Sequence, residues 1–149
     1  MATTITDYVN TCLPASGFGP TIFPYWDDLN ASGCSGCGVY TSVLGTAPNR
    51  VLVIEYRTVT FSTSAPVNFE VRFYENSPNT FTIVYGANPG NGSATVGVQQ
   101  SATGPFAQYA CNGAGGATTP GTALNFTLAA CGTSTATTTR TNTIAAGTA

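Results

Sequence analysis

The chain has 149 residues, a formal net charge of −2 and only 7% charged residues, and it contains neither histidine nor lysine. A typical soluble domain carries roughly 25% charged residues. Without histidine there is no Ser-His or Cys-His pair, and without lysine there is no Schiff base or P-loop. The composition therefore predicts a protein that is not an enzyme, and the absence of a basic patch argues against a nucleic-acid partner.

The predicted elements are short strands rather than helices, because Gly, Pro and Thr interrupt each window long enough for a helix. We expect an all-β fold, a single antiparallel β-sandwich of the jelly-roll or Ig-like two-sheet type, over residues 20–131. Extended segments flank it at 1–19 and 132–149. No apolar run approaches the roughly 20 residues of a membrane span, so no membrane insertion is expected. The strand-like runs are 21–26, 38–44, 50–60, 67–75, 80–85, 94–99, 106–111 and 123–128.

The only adjacent carboxylates follow the first predicted strand. Asp27 and Asp28 come directly after Trp26, and Asn30 lies two residues further on. These side chains could hold calcium together with backbone carbonyls, or they could cap backbone N–H groups in an Asx turn. The turn is favoured because the Asp-x-Asp-x-Asp-Gly spacing of a dedicated calcium loop is absent, and no other cofactor is expected.

Two opposite-charge pairs determine the predicted register of the hairpin formed by the third and fourth runs. If Glu55 lies opposite Arg72, then Arg57 lies opposite Glu70 on the same face, and the other face is apolar. A one-residue slip would bury charge, so we expect these four residues to form structural ion pairs. The next hairpin turns at 76–79 and predicts two buried pairs, Phe81 opposite Phe73 and Ile83 opposite Val71.

The five cysteines are Cys12, Cys34, Cys37, Cys111 and Cys131. One CxxC motif, at 34–37, is a weak signal for a metal, since a zinc site needs two further thiolates from distant positions. Disulfides in an oxidising compartment are the favoured interpretation, although the sequence does not give their connectivity. The odd number leaves one thiol free or paired between chains.

The C-terminal segment 132–149 has eight Thr in eighteen residues. Alone, such a segment cannot bury enough apolar surface to offset its ordering entropy. Its Thr residues alternate with period two, which suits a strand added to an open sheet edge of its own domain or of a neighbouring subunit. The N-terminal segment could serve the same purpose. The candidate assembly residues are Thr133, Thr135, Thr137, Thr139, Thr141, Thr143 and Ile144, with Ile5 and Val9 in the N-terminal segment.

Several motifs spread over residues 20–111 resemble bacterial secreted β-domains similar to the nidogen-like extracellular domain. This resemblance implies an antiparallel β-fold used in extracellular binding or structural proteins, without established catalysis. The chain differs from that family's usual pattern by its added cysteines and its Thr-rich tail. The motifs are Phe-Pro-Tyr-Trp-Asp-Asp-Leu at 23–29, Gly-Val-Tyr at 38–40, Gly-Thr-Ala-Pro-Asn-Arg at 45–50, Val-Ile-Glu-Tyr at 53–56, Phe-Glu-Val-Arg-Phe-Tyr-Glu at 69–75 and the run 92–99.

Together these features predict a non-catalytic structural subunit of an extracellular assembly, such as a filament, a pilus-like fibre or a surface layer. Its partners would be copies of itself, joined by strand addition from a terminal segment. The alternative is a secreted adhesin or a module that binds glycan or matrix. Trp26 and the seven tyrosines are the candidates for a sugar-stacking surface in that case.

Overall fold

The computed structural model describes residues 7–128 and the backbone of residues 138–142. Their regular elements are all strands, and no helix among them is long and apolar enough to cross a membrane. Each of the eight predicted strands is present with ends within one residue of those expected. The strands are β1 (Thr21–Trp26), β2 (Leu29–Asn30), β3 (Gly38–Leu44), β4 (Val51–Thr60), β5 (Pro66–Tyr74), β6 (Thr80–Tyr85), β7 (Thr95–Gln99), β8 (Phe106–Cys111), β9 (Ala114–Gly115), β10 (Thr122–Thr127) and β11 (Thr138–Asn142).

The strands form two antiparallel sheets, which confirms the predicted all-β sandwich. The larger sheet has the order β11-β10-β6-β5-β4-β2, and β3 also pairs with β4. Within it β3, β4, β5 and β6 form a meander of consecutive strands joined by hairpins. The smaller sheet has the order β1-β7-β8-β9. The short loops that join β3, β4, β5 and β6 keep these consecutive strands next to each other in the sheet.

The core lies between β5, β6 and β10 of the larger sheet and β1, β7 and β8 of the smaller one. Alternate residues of each strand point inward, as the period-two pattern requires. Ile83 and Leu124 are fully buried, and the rings of Phe81 and Phe126 stack with centroids 4.9 Å apart. Each buried side chain of this size contributes about 1.5–3 kcal/mol relative to its exposed state. This contact therefore fixes β6 against β10.

The N-terminal residues 10–18, which we call the N-terminal strap, pack on the domain instead of extending from it. Leu13, Ala15 and Phe18 are buried with Phe23 of β1 in a second cluster, and Trp26 packs against them. The rings of Phe23 and Trp26 stack at 4.9 Å. This part of the predicted extension at 1–19 therefore lies against the domain, with its three apolar side chains on the outer side of the smaller sheet.

The side chain of Gln99 holds the strap through hydrogen bonds to the backbone of the strap. Gln99, buried at the end of β7, accepts a hydrogen bond from the N–H of Ala15 (2.7 Å) and donates to the carbonyls of Ala15 (3.0 Å) and Phe18 (2.9 Å). A second amide, Gln108, accepts from the N–H of Leu13 at 2.8 Å. These bonds satisfy backbone groups of a segment that has no ladder partner of its own.

The β4–β5 hairpin differs from the predicted register by two residues. Glu55 lies opposite Glu70, and Arg57 lies opposite Asn68, so the predicted cross-strand pairs with Arg72 and Glu70 are wrong. The loop between β4 and β5 determines the register. It is tighter than the predicted register requires, since the N–H of residue 60 donates to the carbonyl of residue 65. A shift of two keeps every side chain on its predicted face, because faces alternate with period two.

The β5–β6 hairpin has the predicted register. Phe73 pairs with Phe81, and Val71 pairs with Ile83. The turn contains two hydrogen bonds, from the N–H of Ser77 to the carbonyl of Tyr74 and from residue 80 to residue 77. This turn therefore specifies the same pairing as the apolar pattern.

Part of the Thr-rich tail is a strand of its own domain. The backbone of β11 pairs with β10, with Thr139 opposite Asn125 and Thr141 opposite Ala123. The own-domain sheet edge was one of the two partners expected for this segment. The other candidate tail residues, Thr133, Thr135, Thr137, Thr143 and Ile144, lie outside the described residues, as do Ile5 and Cys131.

Candidate functional site

The most unusual feature of the described surface is β3. From Val39 to Leu44 every residue of this strand is exposed, although three of the side chains are aliphatic. Val43 is 61% and Leu44 is 54% exposed. The strand has no charged residue and no proline. Natural edge strands are usually blunted by lysine, proline, a bulge or short length, and β3 has none of these.

The hydrogen-bonding pattern shows which backbone groups of β3 face outward. The N–H of Thr60 donates to the carbonyl of residue 65, which lies on the β5 side of β4. The N–H of Phe61 donates to the carbonyl of Asp28, which lies on the opposite side of β4. In an antiparallel ladder this direction alternates along the strand, so the odd-numbered residues of β4 bond to the even-numbered residues of β3. The N–H and C=O groups of Val39, Thr41 and Val43 therefore point away from β4, toward an edge on which no described strand lies.

An apolar depression lies beside this edge. Val39 and Val43 belong to the same face of the larger sheet as the core residues of β4 and β5. They are exposed because the smaller sheet does not cover β3. Val43, Leu52 and Phe73 line a depression of about 320 Å³, bordered by the ion pair of Arg50 and Glu75. An added strand at this edge would cover apolar side chains as well as backbone groups.

The opposite face of β3, β4 and β5 carries four of the charged residues. Arg57 binds Glu55, with bonds of 2.8 and 2.9 Å, and Arg72 binds Glu70 at 2.6 Å. All four predicted ion-pair residues are therefore in ion pairs, but each arginine binds the glutamate two residues before it on its own strand. The guanidinium of Arg57 also lies 4.7 Å from the ring centroid of Tyr40.

The two glutamates lie directly opposite each other, an arrangement that destabilises a sheet unless cations compensate it. The hydrogen bond from Arg57, followed by one from Asn68, lowers the pKa of Glu55 and keeps it ionised. With Tyr40, Ser42 and Val53, these groups line a depression of about 400 Å³. Its charged groups are already paired with one another, since Arg57 binds Glu55 and Arg72 binds Glu70.

Two of the three calcium candidates, Asp27 and Asn30, take part in local hydrogen bonds. Asp27 accepts hydrogen bonds from the backbone N–H of Asp28 and from the hydroxyl of Ser93. Asn30 accepts from the backbone N–H and the hydroxyl of Ser32, so its oxygen closes its own turn. Among residues 7–128 no group of three His, Cys, Asp or Glu side chains is placed to hold a metal ion. The geometry at Asn30 is that of the Asx turn that the sequence favoured.

The sugar-stacking candidate Trp26 is not a free platform. Its ring packs against Phe23 and Phe18, and its indole N–H donates to the backbone carbonyl of Asp7 at 2.8 Å. The N-terminal segment is therefore attached to this ring. Val9, an assembly candidate, is exposed just before the strap.

In the part of the chain that the structure describes, two disulfides join Cys12, Cys34, Cys37 and Cys111. Cys12 in the strap is bonded to Cys111 at the end of β8, across 99 residues of sequence. Cys34 and Cys37 close the turn immediately before β3. The long bond holds the strap covalently to the smaller sheet, and the short one fixes the entry into the exposed edge strand. Both bonds are typical of proteins from oxidising compartments.

Two features of the site could not be predicted from the sequence: the edge position of β3 and the glutamines that hold the strap. The alternation of apolar and polar residues predicted β3 as a strand, but edge position depends on strand order, which a single sequence does not determine. Gln99 and Gln108 have no pattern that marks them as anchors of the strap.

A family model described as NIDO related matches residues 1–147 of the chain. Neither the curated proteins nor the solved structures contain a significant match.

Proposed function

The chain belongs to the NIDO-related family, and we propose that it is a non-catalytic structural subunit of an extracellular assembly, in which strand addition joins the copies. The assembly would be a filament, a pilus-like fibre or a surface layer. Extracellular location is supported by the two disulfides and by the family. The affinity would come from main-chain hydrogen bonds, and the side chains beside the edge would determine the register.

The observation that carries this proposal is the open edge of β3. Within residues 7–128 and 138–142, no strand pairs with the outward backbone groups of three consecutive odd-numbered residues. The strand also lacks the charges and prolines that prevent edge-to-edge association. The neighbouring apolar depression at Leu52 and Phe73 adds surface that an incoming strand would bury.

The test is to remove one outward N–H without disturbing the domain. In Thr41→Pro the lost N–H belongs to the free edge, so no bond to β4 is broken, and proline is tolerated at such edge positions. Thr41→Val keeps the N–H and is the matched control. We expect wild type and Thr41→Val to form large species on size exclusion, and Thr41→Pro to elute as a monomer with unchanged circular dichroism.

If folded Thr41→Pro assembles as well as the control does, strand addition at β3 is wrong. If the wild type is monomeric at every concentration and ionic strength, the structural-subunit proposal itself is wrong. Val43→Pro provides a second variant of the same kind should Thr41→Pro not fold.

The charged face supports a second candidate function, a secreted adhesin or glycan-binding module. The depression formed by Tyr40, Arg57 and Glu70 combines an aromatic ring with ionised groups over the buried side chain of Val53. A glycan array with monomeric Thr41→Pro tests this function. Binding that is lost in an added Tyr40→Ser change, but not in Tyr8→Ser, would favour it, because Tyr8 is exposed elsewhere.

A further inference from the structure

We infer that growth occurs head to tail, with β11 of one copy adding in antiparallel orientation to β3 of the next, so that the larger sheets become continuous. This inference rests on the proposed function and names the two edges that meet. The described part of the larger sheet ends at β11 on one side and at β3 with β2 on the other. The acceptor strand is seven residues long and β11 is five, so the shorter strand fits within the longer one.

The directions of the two edge strands support this pairing. Every neighbouring pair from β11 through β10, β6, β5 and β4 to β3 is antiparallel. These are six strands, so the two edge strands of one copy run in opposite directions. A second copy displaced along the sheet without being inverted then places its β11 antiparallel to β3. The contact needs no crossover connection, because it is an antiparallel ladder like those between the other neighbouring strands of the sheet.

Backbone groups are available on both edges. The N–H of Leu128 bonds to the carbonyl of Asn79 on the β6 side, so even-numbered residues of β10 bond to β6 and odd-numbered ones to β11. Thr139 and Thr141 therefore use their backbone groups on β10. By the same alternation, the backbone groups of Arg140 face the other way, toward the incoming β3.

A second β3 is the competing occupant. Two β3 edges related by a two-fold axis would also run antiparallel, but this contact by itself joins only two copies and closes into a dimer. A β11–β3 contact leaves one β3 and one β11 free after each addition, so it continues without limit. A β3–β3 dimer could extend only through a second kind of contact between β11 edges, whereas the β11–β3 arrangement builds the extended assembly from one repeated contact.

The geometry of the sheet predicts the dimensions of the assembly. Strands in a sheet lie about 4.7–4.9 Å apart, so six strands give an axial rise of about 28–29 Å per copy. Neighbouring strands are rotated by about 20–25°, so successive copies are rotated by roughly 120–150°. Helical reconstruction from electron micrographs measures both values.

Complementation between two blocked variants tests the pairing. Thr41→Pro blocks β3 and leaves β11 intact, whereas Arg140→Pro blocks β11 and leaves β3 intact. Arg140→Gln is the matched control because it removes the charge and keeps the N–H. We expect each proline variant alone to be monomeric, and an equimolar mixture to form a one-to-one dimer that does not grow. The assembled fraction of each variant alone should fall at least tenfold relative to Arg140→Gln.

The outcomes distinguish this inference from the proposed function. If folded Arg140→Pro assembles as wild type does, or forms dimers by itself, the β11–β3 pairing is wrong while strand addition at β3 stands. A mixture that remains monomeric also overturns the pairing. If neither wild type nor Arg140→Gln assembles, the proposed function fails as well. Circular dichroism and thermal unfolding of each variant show whether the domain has folded.

Discussion

Removal of the disulfide between Cys12 and Cys111 is predicted to destabilise the domain severely. The bond closes a segment of 99 residues. In the chain-entropy account, a link across about 100 residues stabilises the folded state by about 4.7 kcal/mol at 25 °C, because it restricts the unfolded chain. Native domains have total free energies of unfolding of about 5–15 kcal/mol. One covalent bond would therefore supply a large share of the total.

The second disulfide provides an internal comparison. Cys34 and Cys37 are three residues apart, and the same relation gives only about 1.6 kcal/mol for so short a loop. The double variants Cys12→Ala/Cys111→Ala and Cys34→Ala/Cys37→Ala should therefore differ by about 3 kcal/mol in their free energy of unfolding. Equilibrium unfolding in urea measures both free energies. The slope with urea should rise for the first variant, since its unfolded chain exposes more surface.

Equal losses in the two double variants would refute this reasoning. So would a loss below about 1 kcal/mol for Cys12→Ala/Cys111→Ala, because the loop entropy alone is several times larger. A reduced wild-type protein, alkylated after unfolding, is a control that needs no substitution. It should be no more stable than the first variant.

Three further predictions concern single side chains. Gln99→Leu removes three hydrogen bonds to the strap and leaves buried backbone groups without partners. The free energy of unfolding should therefore fall by roughly 2–5 kcal/mol. Urea unfolding measures this loss, and a change under about 1 kcal/mol contradicts the anchoring role. The side chain and then the backbone N–H of Arg50 lower the pKa of Glu75 to about 2. The stabilisation from this pair is complete above the ordinary pKa near 4.5 and is lost as the pH falls toward 2. Because Arg50→Gln keeps the backbone N–H, the carboxyl titration of Glu75 seen by NMR should move up toward its ordinary range without reaching it. Burial, and next the charge of Asp27, raise the pKa of Tyr25 to about 12. Stability should therefore decline as the pH rises from 10 to 12, and ultraviolet titration of Tyr25→Phe should lack one high-pH tyrosinate; an unchanged titration would place that pKa on another tyrosine.

The strands themselves could be predicted from the sequence. Short runs of β-branched and aromatic residues, separated by Gly, Pro and Asn, gave the eight main strands to within one residue. The pairing of β5 with β6 could also be predicted, because the turn and the apolar face agree at Phe73 and Phe81. Local patterns are sufficient where a tight turn and a buried face require the same register.

The β4–β5 register could not be predicted from charge. Opposite charges were expected to face each other across the strands, but exposed ion pairs contribute only about 0–1 kcal/mol. Arg57 reaches Glu55 equally well along its own strand, so the ion pair survives a two-residue shift. The loop at residues 61–64 therefore outweighs the charges.

The strap and the disulfides depended on tertiary structure. Leu13 and Phe18 lie among Pro, Ser and Gly and show no strand pattern, and five cysteines allow many pairings. Their partners at Cys111 and Gln99 are more than 80 residues away. The open edge of β3 was unpredictable for a related reason, since it depends on which strand has no neighbour.

The covalent loop also determines how the protein would respond to tension. Strands β1 to β8 lie within the segment that Cys12 and Cys111 enclose, whereas β10 and β11 lie outside it. If the chain is pulled by its two ends, about 330–350 Å of contour length inside the loop cannot extend while the bond is intact. Among the described strands, only β9, β10 and β11 can then separate from their neighbours. A fibre of such subunits would yield by short, recoverable steps rather than by unravelling whole domains.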